Sequence, residues 1–591
     1  MKQFLLTMAG VFAGLVLFFV GVPFVALVMI AGAAHPSGTA NNTVLSLDLR
    51  KDLTDQEPQN PFAAFSGRSM AVTTVADVLH RAETDTRVKA LFVRLPEGGV
   101  TPGEADELRL AFKRFRAAGK PVIVHSQGLY PSGAITSTYM LGASADQFWM
   151  QPGAPFQATG LATQDVFFKR LFDKYGVKPD FQQRYEYKNA INGYLYDDYT
   201  PAHREGELSW MGSIYQSTVA AAAADRRQSP ATLKALIEAG PYDAAQAQAK
   251  GLIDRLGQVR EAQAEALRRA GPGAKLVDID DYQAANPRLD GGLNKPVVAV
   301  VNAEGDIMTG SNSAGLGSQT INSDDVADAL YAAADDSQVK AIVLRLNSPG
   351  GSDTASEQIL AAVRAAKAKK PVVVSMGAYG ASGGYWISSE ASAIVAEPTT
   401  LTGSIGVFGG KLAIGQTLAH FGVDLRQLSV GGGYANADDP AQPFTPQQQA
   451  AFSAAIDRVY DGFVSRVATG RHLPPARVRE IARGRVWTGL QAKQLGLVDE
   501  VGGFYQALDK AKALAGLAGQ DVRLKTVTAR RSPFEALQRM FGVSESSLRT
   551  LEAAVSVLGD SHARMLLDQA SEARVRASPG GGLVLAPLPR F

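Results

Sequence analysis

Along most of the chain, short runs that are apolar at nearly every position alternate with Ala-rich stretches whose apolar residues recur at three and four. In one region AIVLRLN is followed by SEQILAAVRAAKAKK, then PVVVSM, then a helix opening near Ser382, then AIVAEP. Runs apolar on both faces and joined by helices predict a mostly parallel sheet with crossover helices, an α/β fold.

The pattern occurs twice. RVKALFVRL at 87–95 returns as QVKAIVLRL at 338–346, KPVIV at 120–124 as KPVVV at 370–374, DKYGV at 173–177 as AHFGV at 419–423, and KGLID at 250–254 as LGLVD at 495–499. Matches in the same order over such a length predict a tandem duplication of one domain, each copy burying its own core. The boundaries read as an N-terminal segment 1–40, a first repeat 41–290, a second repeat 291–520 and a tail 521–591. A Gly-, Asp- and Pro-rich stretch, 271–296, reads as the linker between copies. In the tail, SPFEALQRMF and SLRTLEAAVSVLGDSHARMLLDQA predict two amphipathic helices ahead of a disordered Gly/Pro-rich end.

Phe4 to Ala34 holds no charged residue. A membrane-crossing helix needs roughly 20 apolar residues, and a cleavable signal about 7–15, so the segment predicts an uncleaved anchor; Ala31-Gly32-Ala33 leaves a cleavage site as the alternative. Lys2, the one flanking charge on the short side, places the N-terminus in the cytoplasm and the rest across the membrane. Composition then narrows the chemistry. Fifty-nine basic against 57 acidic residues leave a formal charge of +2, with no basic excess to hold nucleic acid. With no cysteine, thiol nucleophiles, disulfides and thiolate metal sites are excluded. The seven histidines are scattered without metal-ligand spacing, and no cofactor or metal ion is called for.

Candidate chemistry comes from where the copies differ. GAYGASGGYW, 377–386, sets Ser382 among glycines, whereas the first copy has SGAITSTYML there, with Thr136 opposite Ser382 and no Gly-Gly after it. Conversely RYEYKNAING and VGGGYANADD align through the shared Tyr-x-Asn-Ala at 187–190 and 434–437, so Lys188 in the first copy faces Ala435 in the second. Each copy lacks what the other keeps. Taken singly, Ser382 reads equally as a helix cap and Lys188 as a solvated lysine. Together they predict a serine nucleophile whose proton is taken by a buried, neutral lysine across the interface of the copies. Lys411, after a Gly-Gly pair and expected to be exposed, is the rival base. The match to G-x-S-x-G is weak evidence, because the nucleophile of that elbow directly follows its strand, while here Ser382 is the sixth residue after PVVVSM. The Pro-Gly-Gly turn in NSPGGS, 347–352, can offer bare backbone N–H groups to an anion, with Ser352 capping the next helix.

GAYGASGGYW, NSPGGS, TGSIGV and YKNA, in two copies behind an apolar segment, resemble the long form of the signal peptide peptidase A family, also called protease IV, peptidase family S49; the resemblance covers roughly residues 40 to 515. It implies a Clp protease/crotonase-like fold in both copies and a membrane-anchored serine endopeptidase with a Ser/Lys dyad. It further implies a bacterial inner-membrane protein facing the periplasm, a homotetramer, and apolar peptides such as released signal peptides as substrates. By motif, the nucleophile falls on Ser382, the base on Lys188, the serine holding the amine on Ser404, and the oxyanion donors on the N–H groups of Gly351 and Gly383. Leu161 stands where Ser404 would be in the first copy, so the resemblance gives one complete site per chain. Two other classes stay open at this point: a crotonase-type acyl-CoA enzyme, which shares the oxyanion loop, and a catalytically silent membrane scaffold.

Overall fold

A computed structural model describes residues 41–57, 70–286, 295–311, 320–529 and 584–585. Two parallel sheets carry the mixed α/β architecture. In the first, β1 (Thr43–Asp48), β2 (Val88–Arg94), β3 (Val122–Ser126), β4 (Gln147–Met150), β5 (Arg255–Leu256) and β6 (Lys275–Asp278) lie in the order β5-β4-β3-β2-β1-β6. In the second, β7 (Val297–Glu304), β8 (Val339–Ser348), β9 (Val372–Ala381), β10 (Ala393–Ala396), β11 (Glu500–Val501) and β12 (Arg523–Thr526) repeat it as β11-β10-β9-β8-β7-β12. Register repeats as well: Leu91 of β2 pairs with Val122, and its counterpart Ile342 of β8 pairs with Val372. The strands are β-branched and buried on both faces, as a helix-covered parallel sheet requires.

Several expectations need correction. The stretch 271–296 is not all linker: β6 and the helix Ile279–Ala285 belong to the first copy. The second copy does not end at 520, because β12 closes the outer edge of its sheet. Both strands are four-residue edges, with two apolar residues in the first and one in the second, too short a run for periodicity to register. Each copy buries a cluster of its own, Val44, Phe92, Ile123 and Trp149 in the first, but the two also share a core. One cluster joins Leu79, Leu108 and Phe112 of the first copy to Val298, Val343, Val373 and Leu508 of the second, while another fills the far face of the second sheet. Finally, β9 runs on through GAYGA to Ala381. Ser382 therefore directly follows its strand, and the spacing argument against a nucleophile elbow does not hold.

Among the described residues no helix is long and apolar enough to cross a membrane; the apolar segment 4–34 and the two tail helices lie outside them. Of the tail beyond 529, the structure describes Val584–Leu585, a short strand antiparallel to Gly350–Gly351.

The shared core encloses charge. Arg345 of β8 is buried and donates from Nε to Asp55 at 2.9 Å and from Nη1 to Glu107 at 3.2 Å and to Ser375 Oγ at 3.0 Å, with Glu397 at 3.6 Å. Asp55 and Glu107 belong to the first copy. Glu107 also accepts from the Phe504 N–H at 2.8 Å, so one guanidinium ties both copies to the closing helix Phe504–Leu514. Burial, followed by the charge of Glu107, pushes the Glu397 carboxyl well above the usual carboxylate range. Breaking a buried ion cluster from one side strands the remaining charges. Arg345→Met is therefore expected to cost about 3–5 kcal/mol, read as a lower midpoint of denaturant unfolding; an unchanged midpoint would show that the two copies do not depend on this cluster.

Candidate active site

The end of β9 splits the second sheet. Its first half pairs with β10, and its last residues, Tyr379 to Ala381, pair with the strand Leu401–Gly403. Ser382 follows at once, its N–H donating to the Gly403 carbonyl at 2.9 Å and its own carbonyl accepting from Trp386 N–H at 2.8 Å as the helix Gly383–Ser388 begins. The turn forces φ +53° and ψ −115° on a fully buried, non-glycine residue, a conformation that persists only where its surroundings impose it. Ser404, after Leu401–Gly403, is likewise buried with φ +49°.

Lys188 arrives from the first copy. The strand Lys178–Arg184 crosses over and pairs antiparallel with Val407–Ala413 of the second, from Lys178 opposite Ala413 to Arg184 opposite Val407. Beyond it, Lys188 Nζ lies 2.8 Å from Ser382 Oγ, 2.9 Å from Ser404 Oγ and 3.0 Å from the Ser404 carbonyl oxygen. The amine is fully buried, and among the described residues no carboxylate pairs with it. Burial alone drives its pKa well below the ordinary 10.5. A neutral amine fits the three contacts: two N–H groups can donate to the Ser404 oxygens, and the lone pair can accept the Ser382 hydroxyl.

The turn that holds Lys188 carries no motif and was not legible in the sequence. Arg483 accepts from the N–H groups of Tyr185 and Tyr187 at 3.3 and 3.2 Å, Arg485 accepts from Ser404 N–H at 2.7 Å, and Gly484 N–H donates to Ile405 at 2.9 Å. Three consecutive residues thus clamp the lysine loop and the Ser404 turn together. Gly484 has φ +82°, and a side chain there would meet Lys188 Cβ at 2.5 Å, so the clamp closes only around glycine.

Gly351 and Gly383 lie side by side, since a side chain on Gly383 would come within 3.1 Å of the Gly351 nitrogen. Gly351 has φ +152°, and a side chain on it would strike the Ile307 carbonyl at 2.1 Å. Ser352 N–H donates to that carbonyl at 2.8 Å, so the Gly351 N–H one residue earlier projects from the opposite edge, the one along which Val584–Leu585 runs. Lys411 is not an exposed residue after a turn. It sits in the strand Val407–Ala413, partly buried, donating to the carbonyls of Ala437 and Asp439 at 2.6 and 2.7 Å. Those bonds direct it away from Ser382. In the first copy Ala134 occupies the helix-cap position that Ser382 has in the second, with Thr136 two residues further on inside the helix; neither is a serine. Leu161, the counterpart of Ser404, packs against the apolar cluster of Trp210, Ile214, Leu401 and Val486.

A strained, buried serine with an amine at its hydroxyl and adjacent glycine N–H groups is the arrangement of a serine hydrolase. The profile of "Peptidase family S49" matches residues 114–271 and 364–518, one segment in each copy. The chain is 32% identical to "Protease 4" of Salmonella typhi over 517 residues, 83% of this chain and 81% of that protein, and 32% identical to "Protease 4" of Haemophilus influenzae over 86% and 84% of the two. "Serine protease SPPA, chloroplastic" of Arabidopsis thaliana is 25% identical over 80% of this chain and 69% of its own. The chain belongs to peptidase family S49 and is a serine peptidase, which removes the acyl-CoA enzyme and the silent scaffold.

The buried amine has a thermodynamic signature of its own. Once unfolded, the chain binds a proton at Lys188 that the folded chain refuses, so this position opposes folding at neutral pH, and the penalty shrinks as pH approaches 10.5. Lys188→Met removes it. Relative to wild type, the variant's unfolding midpoint is expected to fall progressively between about pH 7 and pH 10; a difference that does not change with pH would show that Lys188 is not held neutral.

Proposed function

We propose that Ser382 is the nucleophile and Lys188 its general base in a membrane-anchored endopeptidase of the Clp protease/crotonase-like fold that cleaves apolar, extended peptides. The observation that carries this is the set of hydrogen bonds that joins one buried amine to Ser382 Oγ and to both oxygens of Ser404. The neutral Lys188 amine takes the Ser382 proton as Oγ attacks the scissile carbonyl, and the N–H groups of Gly351 and Gly383 receive the developing oxyanion. The resulting ammonium passes its proton to the leaving amine, leaving an acyl-serine and a neutral lysine. Water, deprotonated by the same amine, then hydrolyses the ester and restores Ser382. Ser404 orients the amine throughout.

A free lysine is neutral in only about one molecule per thousand at pH 7, so turnover depends on the burial that depresses Lys188. Ser382→Ala is expected to lower kcat/KM at least about a thousandfold and to abolish labelling by a fluorophosphonate. Lys188→Arg should fail as completely, because guanidinium keeps its proton. In wild type, kcat/KM should rise with pH as the ammonium deprotonates and then level off. Turnover retained by either variant would overturn the assignment.

Substrate class follows from two features. The edge of Gly350–Gly351 accepts an antiparallel strand, here the chain's own Val584–Leu585, and main-chain pairing of this kind recognises any extended peptide. The uncharged segment 4–34 would hold that edge near the bilayer, on the periplasmic side of a bacterial inner membrane, where released signal peptides are found. Product mapping with a library of signal peptides is expected to show cuts within their apolar cores, and deletion of residues 1–40 should move the protein from the membrane to the soluble fraction. Cleavage confined to charged sequences would refute the substrate class.

A further inference from the structure

The second residue of the NSPGGS turn is a buried serine with no part in the proton transfer. Ser348 is the last residue of β8 and is fully buried. Its hydroxyl donates to the Gly305 carbonyl at 2.7 Å and accepts the Gly350 N–H at 3.1 Å. Gly305 returns the contact, its N–H donating to the Asn347 carbonyl at 2.9 Å, so this brace is anchored on the loop after β7.

A serine hydroxyl that accepts the N–H two residues on closes a turn around the residue between, here Pro349, which has no N–H of its own. The N–H groups on both sides of Gly351 are then committed, Gly350 to Ser348 Oγ and Ser352 to the Ile307 carbonyl at 2.8 Å. What the turn presents to an incoming chain is the Gly351 N–H, on the edge along which Val584–Leu585 runs. Gly350 has φ +120° and Gly351 φ +152°. Two such glycines leave the backbone many conformations, and the hydroxyl selects one. Ser348 also abuts the turn of the other donor: a side chain on Gly384, next to Gly383, would strike the Ser348 carbonyl oxygen at 2.9 Å and Cβ at 3.4 Å.

The first copy shows the turn without this brace. At the shift of 251 (338 − 87) set by RVKALFVRL and QVKAIVLRL, the exposed Glu97 stands in the place of Ser348. There the N–H groups of the turn are used up inside the protein. Gly99 donates to the Ser132 carbonyl at 2.9 Å, and Val100, at the place of Gly351 in the same count, donates to Thr138 Oγ1 at 2.8 Å.

We infer that Ser348 is a positioning residue of the oxyanion pocket, its hydroxyl holding the Pro-Gly-Gly turn so that the Gly351 N–H faces the substrate's scissile carbonyl. This rests on the reading that Ser382 is the nucleophile and that Gly351 and Gly383 receive the oxyanion. Ser348 touches no reacting atom; it acts through Gly350 on the aim of the next N–H. A donor aimed at the developing oxyanion acts on the transition state more than on bound substrate, so its displacement is felt in kcat.

Ser348→Ala is expected to lower kcat for an apolar fluorogenic peptide by about 10- to 100-fold, less than the roughly 10²–10³ that follows from deleting an oxyanion donor. KM should stay within about twofold, and the pH midpoint of kcat/KM, which Lys188 sets, should not move. An apolar peptide aldehyde supplies a readout that a merely structural role would leave alone. Ser382 Oγ adds to its carbonyl carbon and the hydroxyl proton ends on the new oxygen, giving a hemiacetal held by the same donors. Its inhibition constant should therefore rise by the factor by which kcat/KM falls. Rates are counted per site titrated with a fluorophosphonate, so unfolded chains do not enter. Ser348→Cys keeps a weaker hydrogen-bonding group at the same place and carries the same test should the alanine variant give no titratable site: kcat falls by less, with aldehyde affinity again in parallel. Unchanged kcat, a loss carried by KM, or aldehyde affinity that holds while kcat falls would each overturn the role of Ser348. Wild-type protein that the fluorophosphonate does not label at Ser382 would instead overturn the nucleophile assignment, whereas a labelled wild type with undiminished kcat in Ser348→Ala removes the positioning role alone.

Discussion

Lys188 Nζ sits among the Ser382 hydroxyl, the Ser404 hydroxyl and the Ser404 carbonyl, with burial as the force on its proton and no counter-ion among the described residues. A carboxylate at hydrogen-bonding distance would favour the ammonium and so raise the pKa. Surroundings of hydroxyl and carbonyl oxygens satisfy the amine's hydrogen bonds without supplying that charge. Much of the nearby structure can be read as the cost of this choice. The crossing strand brings the residue in, the carbonyls of Arg483 and Arg485 fix its loop and the Ser404 turn, and Gly484 leaves room for its Cβ.

Arg345 shows the opposite solution in the same molecule. It too is fully buried at the junction of the copies, but Asp55, Glu107 and Glu397 surround it and the guanidinium stays charged. Guanidinium cannot be made neutral by burial, so it serves as a fixed cation that organises the interface. An amine can be, so it can serve as a base. The shared core needs both: the charged cluster sets how the copies sit, and the uncharged one depends on that placement to within the length of a hydrogen bond.

The duplication was legible because strands buried on both faces must stay apolar in each copy, so RVKALFVRL and QVKAIVLRL kept their likeness while the spacing between motifs drifted by a few residues in the loops. Edge strands β6 and β12 escaped notice because each is four residues long with little apolar character. The end of β9 is hidden because GAYGA is glycine and alanine apart from Tyr379 and gives no periodic signal, although the strand continues through it. Ser382 and Lys188 lie 194 positions apart, and no spacing rule joins them. What joined them was the reciprocal absence of each from the other copy. The Arg483–Arg485 clamp left no such trace, since Arg483 and Arg485 act through backbone carbonyls that any residue could supply and the one residue it requires is a lone glycine, Gly484.

That reciprocal absence has a physical origin. Two copies that meet through one strand pair can build a nucleophile and base at that junction only if one side supplies the serine turn and the other the lysine loop. The serine turn of the first copy and the lysine loop of the second supply neither the nucleophile nor the base, so substitution there costs the site nothing. Leu161 has replaced a hydroxyl with a side chain that packs on the apolar cluster of Trp210 and Leu401, and Ala134 caps its helix without a nucleophile. Positions freed from chemistry serve packing, while the strands and the Gly-Gly of the LPEGGV and NSPGGS turns stand in both copies. Fusion into one chain also fixes the stoichiometry, since every serine half is made with its lysine half attached, at an effective concentration that no dilution can lower.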